Sequence, residues 1–352
     1  MFNQLKIAKM KTKSFRLVLG LLMVCTLQLQ AQKSTKRVYK SFPLSQVSSL
    51  ELSNKYGNIQ IDDNRKDSVV ISVEIWVEGS GSRSQRLLDN ISVNIANSGN
   101  TVSATTDFRN DFNNNNLEFS IDYAVSVPAD RNLTVSQKYG NVHMNNLTGK
   151  GIFDIKYGEL RGKELLAPQL NMEIAYSKVY LDATKNLDLN IRYSKITLAK
   201  GENLKLDSRY SGLNIGECKD ASIESKYDDI KIKSIDNLTS NSMYTGYKIE
   251  QLRSSLSFTN GYGDMSITSI PTGFNNIKVS SRYATIRLGI DPAASYRLKG
   301  NVRYCDIKHP SGKLNRMKED NSYEVEGTIG STDSPKSTVV VESSYGNVIL
   351  IK

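Results

Sequence analysis

Apolar and polar positions in this chain alternate in short runs, and the runs recur at a steady interval. Between Tyr139 and Tyr262, a tyrosine followed by a small residue returns after 18, 19, 17, 17, 17, 17 and 18 residues. Copies include Tyr56-Gly57-Asn58-Ile59-Gln60-Ile61, Tyr139-Gly140-Asn141-Val142-His143-Met144 and Tyr193-Ser194-Lys195-Ile196-Thr197-Leu198. Others begin at Tyr157, Tyr176, Tyr210, Tyr227, Tyr244, Tyr262, Tyr283, Tyr304 and Tyr345. Aligned on the tyrosine, the positions six and four before it are apolar, as in Leu187 and Leu189, Leu204 and Leu206, and Val339 and Val341. The position two before is usually small, as in Ser208, Ser225, Ser242, Ser281 and Ser343. Even offsets share one face of a strand, so these positions and the tyrosine are expected to point inward together. The apolar pair after the tyrosine lies three and five residues on, an odd offset. That parity break predicts a corner just after the tyrosine, where Gly57, Gly140, Gly158, Ser177, Ser194 and Gly346 are small enough to turn.

Each repeat therefore reads as strand, corner, short strand and loop. A unit this short cannot bury its apolar face alone, so neighbours must stack. The pattern predicts an all-β fold: a parallel β-solenoid, or β-helix, with coils of about 17–21 residues at roughly 4.8 Å per coil. Tyr139, Tyr157, Tyr176, Tyr193, Tyr210, Tyr227, Tyr244, Tyr262 and Tyr283 would form an internal or corner ladder along it.

Residues 62–132 break the interval. Val69, Ile71, Val73, Ile75 and Val77 alternate strictly, Asn97-Ser98-Gly99-Asn100 marks a hairpin, and Leu117 to Val127 alternate again. Antiparallel strands capping the first coils are expected here, because an open sheet edge invites aggregation. The division is a leader over 1–31, an N-terminal β region over 32–132 and the solenoid over 133–352. A loop or hairpin between the last two coils is expected at about 309–337.

The leader reads as a secretory signal: Lys6, Lys9, Lys11, Lys13 and Arg16, the apolar run from Leu17 to Leu27, then cleavage after Ala31 or Gln32. Cys25 lacks the small preceding residue that lipidation would want, since Val24 stands there. No later segment is apolar for the length that a membrane span needs. Export to the periplasm, the outer surface or the medium follows. Without those five cations, 41 bases face 36 acids, so the formal charge of +10 falls to about +5. That is a solvated surface and not the footprint of a nucleic-acid binder.

Chemistry-bearing clusters are scarce. His143 and His309 have no Cys or second His at ligand spacing, so no metal, cofactor or catalytic residue is assigned. Stacking brings Asp207 near Glu224 and Asp154 near Glu173, a separation that glycoside hydrolysis can use; as outward acids among bases, these also serve simply to solvate the sheet. More distinctive is the residue before the tyrosine, which is Lys55, Lys138, Lys156, Arg192, Arg209, Lys226, Arg282 or Arg303 in eight of the twelve copies. It has outward parity, so a row of cations is expected along one face. Arg192, Arg209, Lys226, Arg282 and Arg303 are the candidate anion-binding residues, with a stripe neutralised by neighbouring acids as the plainer alternative. Cys218 replaces a core apolar residue, and Cys305 stands at a corner about five coils away. No disulfide between them is expected.

The stretches Asn54-Lys55-Tyr56-Gly57-Asn58-Ile59 and Tyr123-Ala124-Val125-Ser126-Val127-Pro128, the latter running on to Gln137-Lys138-Tyr139-Gly140-Asn141-Val142, carry a resemblance. They resemble the bacterial adhesin-like families of unknown function, the β-solenoid group of adhesin or head-domain proteins. The leader ending Gln28-Leu29-Gln30-Ala31-Gln32 also looks like those of Bacteroidetes-type envelope proteins. The resemblance implies an envelope location and an adhesive role, and supplies no established active site. The expected function is a non-enzymatic exported scaffold that binds glycan, envelope polymer or protein. The alternatives are a polysaccharide-processing β-helix enzyme, or a periplasmic sensor or assembly partner.

Overall fold

The computed structural model describes residues 33–64, 67–109, 112–114 and 116–350. The expected signal sequence and Cys25 lie outside these residues. The chain forms a parallel β-solenoid with antiparallel N-terminal strands.

Its most regular part consists of five long strands: Lys178–Arg192, Lys195–Arg209, Gly212–Lys226, Asp229–Met243 and Gly246–Gly261. Only two residues, the tyrosine and its small successor, separate one strand from the next. Each strand pairs in parallel with the following one, apolar positions opposite their repeat equivalents, as in Leu187↔Leu204 and Leu189↔Leu206, with one register shift after Ile235. In the Lys195–Arg209 coil the buried positions are Ile196, Leu198, Gly201, Leu204, Leu206 and Ser208. The spacing of two changes to three at Leu198–Gly201 and again at Gly201–Leu204. Each step of three turns the same face of the strand inward after a bend, and Ala199 and Glu202 drop out of the ladder there. The loop expected at the end of each repeat is therefore a strand that bends twice and keeps its hydrogen bonding on either side of each bend. Cys218 is buried at one of these bend positions, as the pattern requires.

The chain divides into two compact units. In the smaller one, whose segments include 75–92 and 108–120, an α-helix, Ser82–Asp89, buries Leu87 and Leu88. The sequence reading gave no helix there. Lys33 Nζ sits 3.6 Å from the centre of the Trp76 ring, and Phe112 packs edge-on against Phe108 and Phe119. In the larger unit, the two strands that pair directly with the first coil run parallel to it. Ser49–Lys55 pairs with Thr101–Phe108, and Ile59–Asp62 with Phe119–Ser126. Continuing the parallel stacking satisfies the open edge of the first coil with the same ladder geometry as the coils behind it.

At the far end of that unit, order in space departs from order in the chain. Ser337–Ser344 lies between Asn276–Arg282 and Tyr296–Arg303, parallel to both. The preceding segment forms an antiparallel hairpin of Gly312–Glu319 and Ser322–Ile329, and its second strand covers Tyr296–Arg303. The hairpin thus lies against the last coil in space instead of between two coils. This reordering puts Cys218 and Cys305 six rungs apart, one more than the sequence count, or about 29 Å at the usual strand spacing. Both are free thiols. Burial pushes the Cys218 thiol up to about 11.

Candidate functional site

All twelve repeat tyrosines have φ between 50° and 64°, the left-handed region. This corrects the inward placement. A strand continuing with ordinary dihedrals would bury the ring, but the positive φ reverses the direction of the side chain at the corner. Eleven of the rings are 41–56% exposed, and Tyr56 is half-buried. They form one unbroken column in the order Tyr56, Tyr139, Tyr157, Tyr176, Tyr193, Tyr210, Tyr227, Tyr244, Tyr262, Tyr283, Tyr345, Tyr304. Neighbouring centroids are 4.8–5.2 Å apart, with planes within 16° of parallel. Left-handed backbone costs a residue with a Cβ about 1–2 kcal/mol, and a stacked aromatic pair returns about 0.5–1.5 kcal/mol beyond its burial. The column is thus self-consistent as a unit, though glycine or asparagine would suit each corner better taken alone.

Two devices hold the corner that presents the ring. In the central coils the residue after the tyrosine is Ser177, Ser194, Ser211, Asp228 or Thr245. Ser194 Oγ donates to the Arg192 carbonyl at 2.6 Å and accepts from the Ser177 N–H at 2.9 Å; Ser211 repeats both contacts, with Arg209 and Ser194. Asp228 continues this spine, accepting from the Ser211 N–H at 2.6 Å, the Lys226 N–H at 3.1 Å and the Ser225 hydroxyl at 2.6 Å. Burial outweighs these bonds and raises its pKa above the usual carboxylate value. Elsewhere the corner residue is often glycine and the partner is an amide two residues before the tyrosine. Gln137 donates to the Gly57 carbonyl, and Asn260 to the carbonyls of Thr245 and Gly263. Asn54 donates to the Ile121 carbonyl at 2.9 Å. Sequence reading missed this exchange. Its signal is present nonetheless: Asn54/Gly57, Gln137/Gly140 and Asn260/Gly263 share the spacing.

Beside the tyrosines, the preceding residues fall in one lateral row. Lys55, Lys138, Lys156, Ala175, Arg192, Arg209, Lys226, Met243, Gly261, Arg282, Ser344 and Arg303 are successive register partners. The candidate residues Arg192, Arg209 and Lys226 are adjacent in it; Arg282 and Arg303 have Ser344 between them. Several cations lean on the rings: Lys55, Lys138 and Lys226 Nζ lie 5.0, 5.2 and 5.5 Å from the centres of Tyr56, Tyr139 and Tyr227. Neutralisation by neighbouring acids is partial. Lys156 pairs with Asp154 and Arg192 with Asp207, each at 3.0 Å, while Lys138, Arg209, Lys226, Arg282 and Arg303 form no ion pair among the described residues. Asp207 faces Glu224 and Asp154 faces Glu173 across adjacent strands, so both carboxylate pairs exist in register, with each aspartate already holding a cation. His143 is half-buried; His309 bonds to the Pro310 carbonyl at 2.8 Å and to the Tyr323 hydroxyl at 3.2 Å. Among the described residues no group of three or more His, Cys, Asp and Glu is placed to hold a metal ion. No helix among them is long and apolar enough to cross a membrane.

Stacked rings cover each other's faces, so the column offers its edges outward. Aromatic edges carry the positive end of the ring quadrupole. Edges and cations side by side therefore make a long strip with a preference for negative charge.

A family profile described as Toastrack DUF4097 matches residues 47–350. Solved structures similar to this chain include a candidate adhesin from Parabacteroides merdae, 14% identical over 73% of this chain and 96% of that one, with TM-score 0.43. A second candidate adhesin, from Bacteroides fragilis, is 12% identical over 90% of this chain and 97% of its own, with TM-score 0.30. A protein named as a candidate lipid-binding protein from Parabacteroides distasonis is 11% identical over 92% and 98%, with TM-score 0.26. No curated protein matches the chain.

Proposed function

The chain belongs to the Toastrack DUF4097 family, and we propose that it is an exported, non-enzymatic binding scaffold whose tyrosine-and-cation strip holds a linear acidic polymer of glycan or envelope type. The observation that carries this reading is the register of the two rows. Ring edges and cations run side by side, and five of the cations, Lys138, Arg209, Lys226, Arg282 and Arg303, have no ion-pair partner among the described residues. Exposed charges of this kind contribute little to folding, and a strip of one sign raises the local concentration of an oppositely charged chain. The leader of residues 1–31 supports export. A polysaccharide-cleaving reading would draw on Asp207 with Glu224 or Asp154 with Glu173, but Arg192 and Lys156 engage both aspartates.

The test is retention on a heparin support at low ionic strength, where surface electrostatics are least screened. Replacing Arg192, Arg209 and Lys226 together with Ser should leave the thermal transition in place and lower the eluting salt concentration clearly. Unchanged elution would reduce the row to a solvated face.

A further inference from the structure

The cation row is not uniform. After Lys226 it passes through Met243 to Gly261, resumes at Arg282, dips at Ser344 and ends at Arg303. Where the row is small, the surface hollows into a cavity of about 580 Å³. Its lining mixes three chemistries: the guanidinium groups of Arg282 and Arg303, the polar side chains of Asn241, Thr259, Ser280 and Glu342, and the Tyr262 ring. Asn260 lies beneath the cavity floor, 3% exposed, with its amide turned into the coil toward the Thr245 and Gly263 carbonyls. Arg282 and Arg303 are two strand spacings apart, about 10 Å between their Cα atoms.

We propose that this cavity is a discrete subsite for one hexuronate unit of the polymer; the proposal rests on the reading above that the strip binds acidic chains. An arginine fork suits a carboxylate. An amide such as Asn241 both donates to and accepts from the hydroxyls of a sugar ring, the Glu342 carboxylate accepts from them, and a tyrosine edge packs against its C–H groups. Bare polyanions such as polyphosphate need only the first of these. The cavity is also assembled late in the chain, because Ser344 and Glu342 reach it only through the insertion of Ser337–Ser344 between two earlier strands.

Gly261 makes the test clean. A Cβ built there meets only the Met243 Cγ, at 4.0 Å, so a side chain projects into the cavity without disturbing the backbone. Binding of a hyaluronan tetrasaccharide, a neutral chitin tetrasaccharide and inorganic polyphosphate is measured by calorimetry on the full chain, with thermal unfolding as the folding control. Gly261→Gln should weaken the hyaluronan tetrasaccharide about tenfold or more, the scale of losing a hydrogen bond to a charged group. It should leave polyphosphate unchanged, and Gly261→Ala should keep wild-type affinity. Gly261→Lys separates the two ideas, since it adds a cation to the row while filling the cavity. Weaker tetrasaccharide binding by this variant supports the subsite. Tighter binding, matching polyphosphate, overturns the subsite and leaves the charged strip standing. Equal affinity for the neutral and acidic tetrasaccharides also overturns it. If none of the three probes binds at millimolar concentration, and long hyaluronan is not retained either, both the subsite and the strip fall.

Discussion

The central coils and the coils toward the ends carry the same tyrosine column but build the corner under it differently. In the centre, the hydroxyl of Ser194 or Ser211 sits in the corner and ties it to its own strand and to the adjacent coil. Toward the ends the corner is pressed against the neighbouring coil's backbone. A Cβ on Gly140 would lie 1.7 Å from the Gly57 carbonyl oxygen, one on Gly158 1.9 Å from that of Gly140, and one on Gly346 2.1 Å from that of Ala284. The hydrogen bond lost with the side chain is supplied from inside the coil by Gln137, or by Asn260 at Gly263. Two residue types that look interchangeable at one repeat position are therefore fixed by two incompatible corner geometries. The tyrosine tolerates both because the stacking distance is set by the strands, about 4.8 Å in either region.

The largest effect follows from exchanging the corners. Gly140→Ser places a Cβ inside the contact distance of a backbone carbonyl and should destabilise by about 4 kcal/mol or more, the range of severe backbone and core disruption. The reverse change, Ser194→Gly, removes one donated and one accepted hydrogen bond and should cost about 1–3 kcal/mol. Denaturant unfolding of the two variants checks the ratio; equal costs would mean that the corners are built alike.

A middle effect concerns the ring itself. Tyr210→Ala keeps a Cβ in the left-handed region and loses two stacked neighbours, so a cost of about 1–3 kcal/mol is expected. The column is half-exposed, which puts this below the cost of truncating a buried aromatic residue. Tyr210→Gly loses the same stacking but relieves about 1 kcal/mol or more of backbone strain, so it should be the milder change. Glycine worse than alanine at this site would contradict the strained-corner account.

The smallest effect sharpens the hydroxyl spine. Asp228 stands where the neighbouring coils have serine, and burial raises its pKa. A carboxyl whose folded pKa is raised favours folding in its protonated form. Its contribution is full below the unfolded value and is lost as pH climbs through the folded one. Asp228→Ser should therefore remove a decline in stability with rising pH above the ordinary carboxylate range, and should be relatively more stable at pH 7 than at pH 4. Urea midpoints at the two pH values, compared with the parent chain, give the sign. A parent chain that gains stability from Asp228 as pH rises would reverse it.

The period was legible because its cause is local: a coil must present Leu204 and Leu206 inward at the place where Leu187 and Leu189 sit in the coil before, and one residue of slip would turn them to solvent. The outward cation row followed from the same parity, and the burial of Cys218 from the apolar residues that other copies carry at its repeat position. The tyrosine escaped parity, because one positive φ reverses its side chain without changing its place in the sequence. The two inward steps of three, at Leu198–Gly201 and Gly201–Leu204, were also present in the sequence but read as a loop.

What the sequence determined by itself, then, was the repeat: its length, its inward positions and the residues that line up along its surface. All of these follow from a side-chain period of two and from stacking equal units. The tertiary structure decided three things. It set the direction of the tyrosines, through backbone dihedrals that no spacing records. It separated the glycine corners from the serine corners, through the geometry of the corner itself. It also set the order of the final coils, because Ser337–Ser344 matches the strands on either side of it equally well in pattern. A periodic sequence says what each coil looks like, while contacts across some 60 residues decide which coil lies next to which.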